Sequence, residues 1–184
     1  MVGKIRDRKG LSEVVSTLML LVVAVLLASV ATYYATNITM TRTETEELQL
    51  SKEHVWVNNT GAIAAFKVSN LGGRDILLDK ISIRGVSEKW TDVFIYRIPL
   101  GTIISTDVTV CNYSNMTGGF THETRIYDTV TDDIPLVSGG EILVYVMDPD
   151  NIQIDDIGTS VSLSIHTNNA QYITECNVES ATTQ

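Results

Sequence analysis

The sequence predicts an α+β chain: one long, hydrophobic N-terminal helix followed by an all-β head built as a two-sheet sandwich. Two observations predict it. Residues Val14 to Tyr34 form an apolar run without a charge, a proline or a glycine, about the length a helix needs to cross hydrocarbon. From about His54 onward the chain changes to short alternating segments rich in Val, Ile, Tyr and Thr, bounded by Gly, Asn, Asp and Pro, which is strand patterning.

The helix comes first. Val14, Val15, Leu18, Leu20 to Val23 and Val25 to Leu27 outweigh Ser16, Thr17 and Ser29 on a mid-membrane scale, so insertion is favourable. Lys4, Arg6, Arg8 and Lys9 precede the run, and Arg42, Glu44, Glu46 and Glu47 follow it. The positive-inside rule then places residues 1–10 in the cytoplasm and everything after the helix outside. Two plain alternatives compete: a secretory signal peptide cut near Ser29-Val30-Ala31, whose apolar core would normally be shorter, and an uncleaved single-pass anchor.

Beyond Asn37 the sequence turns polar without helix breakers, and Arg42 and Glu46 are spaced to pair on one helical face. The helix is therefore expected to run over 11–53, membrane-embedded or packed to about residue 36 and amphipathic after it. Met40, Leu48 and Leu50 would meet the next domain. The head, 54–184, is expected to place strands at Val55–Val57, Ala62–Ser69, Ile76–Ile83, Val93–Ile98, Ile103–Val110, Glu141–Val146, Val161–His166 and Gln171–Cys176. Turns are expected at Asn70-Leu71-Gly72-Gly73, Ser138-Gly139-Gly140 and Thr167-Asn168-Asn169. Seven or more such strands suggest a sandwich, with a small barrel as the alternative. Glu179 to Gln184 is expected to be a polar tail.

The formal net charge is −9, and losing the basic leader would leave the rest more acidic still. Such a surface repels nucleic acid. Cys111 and Cys176 are the only cysteines. In an exported domain they could bridge, closing a loop of about 65 residues worth roughly 4 kcal/mol on the loop-entropy model, or be small buried hydrophobes. Sequons stand at Asn37, Asn58, Asn112 and Asn115. Asn112 and Asn115 are the favoured glycan acceptors, whereas a glycan on Asn37 would obstruct helix packing. His54, His122 and His166 are scattered singly and no HExxH, Cys-x-x-Cys or phosphate-loop pattern occurs, so neither an enzyme nor a cofactor is inferred. Asp148-Pro149-Asp150-Asn151 with Asp155-Asp156 is oxygen-rich enough for calcium but lacks the EF-hand glycine and terminal Glu, and reads better as a solvated loop.

Lys9-Gly10-Leu11-Ser12-Glu13-Val14-Val15, followed by the Leu/Val/Ala helix, resembles the start of archaeal type IV pilin precursors. The resemblance covers about the first fifth of the chain. It implies that residues 1–10 are a leader, that prepilin peptidase cuts at Gly10-Leu11, and that the helix remains on the subunit. The subunit would wait in the membrane and then polymerise with copies of itself, served by a pilus assembly ATPase and a membrane platform protein, into a surface filament. Val-Ser-Asn-Leu-Gly-Gly followed by Ile-Leu-Leu-Asp-Lys-Ile-Ser-Ile similarly resembles the immunoglobulin-like heads of archaeal pilins, archaellins and archaellum stator proteins. Adhesion is the use the family implies. An archaellin would instead serve motility, and a stator-like protein would keep its leader as an uncleaved anchored binding module. Glu13, at the edge of the apolar run, needs a partner. A new amine on Leu11 could supply it, or Glu13 could sit at headgroup depth beginning the helix. In the bacterial pilin pattern the acid is the fifth mature residue, and here it would be the third.

Overall fold

The computed structural model describes the backbone of residues 4–181 and the side chains of 10–41 and 44–181. Met1 to Gly3 of the expected leader, the side chains of its basic cluster, and the last three residues of the expected tail lie outside the described residues. The chain forms two compact units, divided between Thr43 and Glu44. As the sequence predicts, the class is α+β: a long apolar helix and a mostly antiparallel β head.

Helix α1 spans Lys4–Glu44. Its polar residues do not interrupt it, because their hydroxyls bond back to the preceding turn: Ser16 Oγ to Ser12 O, Ser29 Oγ to Val25 O, Thr32 Oγ1 to Ala28 O and Thr36 Oγ1 to Thr32 O, all at 2.8–2.9 Å. Such back-bonding hides hydroxyls that an apolar surrounding would penalise.

The expected extension of the helix to residue 53 is wrong, because the chain has already turned into strand β1, Leu48–Val57. Leu48 and Leu50 recur with period two, and pairing of Leu48 with Asn70 and Leu50 with Val68 turns both toward the core. Glu46 lies past the helix end, where its carboxylate accepts from Thr167 Oγ1 and from Asn169 Nδ2 at 2.9 Å. Glu46 thus stands outside the helix on which its pairing with Arg42 is expected, and the Arg42 side chain lies outside the described residues.

The other strands are β2 Ala62–Asn70, β3 Ile76–Ile83, β4 Val86–Ser87, β5 Val93–Ile98, β6 Phe120–His122, β7 Arg125–Thr129, β8 Ile134–Leu136, β9 Glu141–Met147, β10 Ser160–Thr167 and β11 Gln171–Ser180. The hydrogen-bonded order is β4-β3-β10-β11-β1-β2-β9-β5-β7-β6, with β8 on β3. This path doubles over as a sandwich. A short parallel pairing, Val55–Val57 of β1 with Val178–Ser180 of β11, joins the two sheets. The main core lies between them, with Phe66, Val144 and Ile95 from one sheet against Leu78, Ile165 and Leu163 from the other.

In the sheet β1-β2-β9-β5 the central strands β2 and β9 are buried on both faces. Its outer face carries a second cluster, Trp56, Ile63, Ala65, Phe94, Leu143 and Tyr145, roofed by Val108, Cys111, Met116 and Phe120 from the long excursion between β5 and β7. Accordingly β2 and β9 read as nearly unbroken apolar runs rather than alternating ones, as strands covered on both sides do.

The expected strand Ile103–Val110 is not one. The segment crosses the face of the sheet rather than lying along its edge, so it has no ladder to join, and β7 takes the edge position beside β5. Carbonyls that a ladder would satisfy are met by a side chain instead: Lys52 Nζ donates to Ser105 O at 3.1 Å and to Thr106 O. The tail expectation also fails at Glu179 and Ser180, which belong to β11, and Ala181 N donates to Val57 O at 3.0 Å.

At the turn after β2, Asn70 is buried. Its amide donates to Arg74 O, Leu136 O and Val137 O, and its Oδ1 accepts from Gly72 N. Gly72 has no alternative there, since a Cβ would lie 2.5 Å from Thr45 O.

Candidate functional site

The features that bear on function fall in three places: the helix, the covered outer face of the head, and isolated surface positions. On the helix, every large apolar side chain between Leu11 and Ile38 is at least half exposed. Gly10–Thr41 is long and apolar enough to cross a membrane, and its most apolar 18-residue window has a mean hydropathy of 2.7. A helix apolar on all sides must be covered by lipid or by other helices, so the segment suits a membrane anchor or a signal sequence.

The Gly10-Leu11 bond lies inside the continuous helix, and an added Cβ on Gly10 would meet nothing within 4 Å. Its requirement, if any, is therefore not one of fold. Glu13 is exposed and, in the uncut chain, lies within α1, which begins at Lys4.

On the head, residues 99–123 cross the outer face and are fastened by side chains from several strands. The β1 bulge between Ser51 and His54 turns Lys52 and His54 toward this segment. His54 Nε2 lies 3.3 Å from Asp107 Oδ2, and Nδ1 lies 3.2 Å from Glu179 Oε1. The imidazole also stacks on Trp56, whose Nε1 donates to Glu179 Oε2 at 3.1 Å. Burial pushes Asp107 upward, but the hydrogen bond from His54, the Val108 N–H and the charges of His54 and Lys52 outweigh it and hold the carboxyl below its ordinary range.

Further along, Tyr145 Oη donates to Thr109 O at 2.7 Å, while Thr109 Oγ1 contacts His122 Nε2 at 2.9 Å and donates to Glu123 Oε1 at 2.6 Å. The Thr109 hydroxyl thus bridges His122 and a carboxylate that also pairs with Arg125 at 2.8 Å, an arrangement that fastens the loop. Beneath it, Phe120 stacks on Tyr127 at 4.9 Å and Tyr127 meets Tyr145 edge-on at 5.0 Å. Burial pushes the Tyr127 phenol up to about 12 and raises that of Tyr145 further.

The cysteines do not bridge. Cys111 is buried in the outer cluster, its Sγ 3.3 Å from Met116 Sδ, whereas Cys176 packs against the core between the sheets. Having been assigned to different cores, the two thiols behave as the buried-hydrophobe alternative describes, and burial pushes them up to about 12 and about 11.

Asn112 is exposed and its Oδ1 accepts from Ser114 N and Ser114 Oγ, a turn built within the sequon itself. Asn115 is exposed on the same 3-10 turn. Asn58 is half-buried and closes a tight turn through Thr60 N and Gly61 N, and Asn37 lies exposed on α1.

In the acidic loop, Asp156 spends both oxygens on protein donors, Arg84 Nη1 at 2.7 Å and Gln153 N at 2.9 Å. Among the described residues no group of three or more His, Cys, Asp or Glu is placed to hold a metal.

Sequence reasoning missed the His54, Asp107, Glu179 and Trp56 constellation. Its members are far apart in sequence, and only the alternation of Lys52, His54 and Trp56 on β1 hinted that they share a face. Neither models of known protein families nor curated proteins match this chain.

Proposed function

We propose that this chain is the structural subunit of an archaeal type IV pilus-like surface filament, made as a membrane-anchored precursor with its N-terminus in the cytoplasm. Prepilin peptidase removes residues 1–10 by cutting at Gly10-Leu11. The assembly ATPase and platform protein then transfer the helix from lipid into a bundle of like helices, leaving the β heads outside. The new amine on Leu11 balances the charge of Glu13 as the helix leaves the headgroup region. Adhesion is the use, through head loops and through glycans on Asn112 and Asn115.

The observation that supports this reading most is the contrast between an all-round apolar helix left uncovered by the chain and a head that buries its own core. Among the described residues, Ala24, Ala28, Ser29, Ala31 and Thr32 are small enough to let neighbouring helices approach.

A second reading is an uncleaved, membrane-anchored binding module of the archaellum stator kind, which would keep the helix that runs through Gly10. N-terminal peptide mass spectrometry, run separately on sheared surface material and on membranes, separates the two. A start at Leu11 in the sheared fraction is the expected result. A start at Met1 confined to membranes would replace the filament with the anchored module, and a start near Thr32 would mean a secreted head.

A further inference from the structure

The head has an apolar end. The turn after β2, the loop after β5 and the turn before β9 all lie where β1 begins, because Leu48 pairs with Asn70 and Ile98 pairs with Glu141. These loops project Leu71, Leu100, Ile103 and Val137. Ile103 is 88 % exposed and Leu100 75 %. They form one surface: Ser138 Oγ donates to Gly72 O at 2.8 Å, and a recess is lined jointly by Leu100, Ile103 and Gly139. Four large apolar side chains on three neighbouring loop tips are more than the scattered exposure of an ordinary surface.

A second uncovered apolar surface lies on the helix. Gly10–Thr41 comprises 32 residues, about 48 Å of helix against about 30 Å of hydrocarbon. Lipid that covers the Leu/Val part therefore leaves roughly the last dozen residues outside the hydrocarbon. Tyr33, Tyr34 and Ile38 stand exposed in that part, the two rings edge-on at 6.5 Å beside a shallow recess. Only Thr45, Glu46 and Glu47 separate helix end from β1. Chain length alone therefore keeps Leu48, where β1 begins, within about 14 Å of the end of its own helix.

We infer that the apolar end of the head, Leu71, Leu100, Ile103 and Val137, docks on the Tyr33, Tyr34 and Ile38 surface of a second copy's helix. This rests on the filament reading and names the contact that would hold the outer layer of such a filament to its core. It also gives a reason for Asn37, which lines the same recess, to remain without a glycan.

The test uses the full-length chain carrying Ile103→Cys and Ile38→Cys, treated with a short bismaleimide, with each single variant as control. Sheared filaments from the double variant should yield a ladder of subunit multiples at least about tenfold above either control. A link confined to one chain would mean that the surface covers its own helix, and the inference fails. Filaments that form normally without any link also overturn it while leaving the filament reading intact; wild-type cells without filaments would remove both. Protection of Ile103→Cys from a soluble maleimide in lipid vesicles, without any link in filaments, would assign the surface to lipid instead. As an independent arm, Leu100→Ser with Ile103→Ser should lower incorporation about tenfold while the leader is still removed. Unchanged incorporation overturns the inference.

Discussion

The helix α1 and the paired strands β2 and β9 are the two most apolar stretches of the chain, and they are covered in opposite ways. Every side chain of β9 between Ile142 and Val146 is buried, Ile142, Val144 and Val146 toward the opposite sheet and Leu143 and Tyr145 toward the roofing segment. The apolar side chains of Gly10–Thr41 are exposed along the whole length. Apolar composition is thus satisfied inside the chain in one region and left for something outside it in the other. The head buries its own apolar core, whereas the apolar surface of the helix is left for lipid or for other helices to cover.

The sharpest way to break this comparison is to charge the helix. Val22→Lys with Leu26→Lys should cost about 5–7 kcal/mol of insertion free energy, moving the protein out of the carbonate-resistant membrane fraction. The melting temperature of the head should stay unchanged, because the head is a compact unit with its own buried core. A fall in that temperature would show that the helix supports the head.

The converse change acts on the other region. Phe66 is fully buried between the sheets, and Phe66→Ala should cost about 3–5 kcal/mol of head stability, read as a lower midpoint in chemical denaturation. Membrane retention should not change. A loss below about 1 kcal/mol would mean that the core between the sheets is not the main source of head stability.

These two regions were also the most legible in the sequence. A long uncharged run and short β-branched segments bounded by turn residues depend on local patterning, which survives in a single chain. β2, β3, β5, β9 and most of β10 accordingly fall where strand composition and the bounding turn residues put them. What local patterning could not reveal is tertiary. Leu48 and Leu50 fit a sparse helical face or a strand equally well, and the β2 partner decides. Ile103–Val110 has strand composition but lies across the outer face of the sheet, which its own Val108 helps to roof. The short strands β4, β6 and β8 exist only through their partners. The cysteine pair failed for the same reason, since spacing in sequence carries no information about which side of a sheet each thiol occupies.

A smaller effect sharpens the electrostatic side of the head. Glu88 is half-buried behind β4, one carboxylate oxygen lacks a hydrogen-bond partner, and burial, followed by Asp150, Asp92 and Asp148 and opposed by Lys89, pushes it up to about 7. Its folded value is raised above the ordinary 4.5, so its contribution is fully present below about pH 4.5 and is lost as pH rises through about 7. After discounting for solvent screening, Glu88→Gln should stabilise the head at pH 8 by about 1–2 kcal/mol, or about 4–8 °C in melting temperature, with little change at pH 4.5. Equal shifts at both pH values would mean that Glu88 acts through shape and not charge.

The smallest expected effect tests how the roof is fastened. His54 is bracketed by Asp107 and Glu179, but Asp107 is 63 % exposed, and ion pairs in that setting contribute about 0–1 kcal/mol. His54→Ala should therefore leave global stability almost unchanged. The change should show locally, as amide exchange in residues 104–108 about two- to fivefold faster, while exchange in β2 and β9 stays the same. Asp107, held below its ordinary 3.8, contributes above that value and loses its contribution as pH falls through its lower folded value, so its share of the fastening should persist at pH 5. Unchanged exchange at 104–108 would mean that Lys52 on the Ser105 and Thr106 carbonyls and the burial of Val108 and Cys111 hold the segment without His54. Faster exchange in β2 as well would mean that the roof and the sheet beneath it open together.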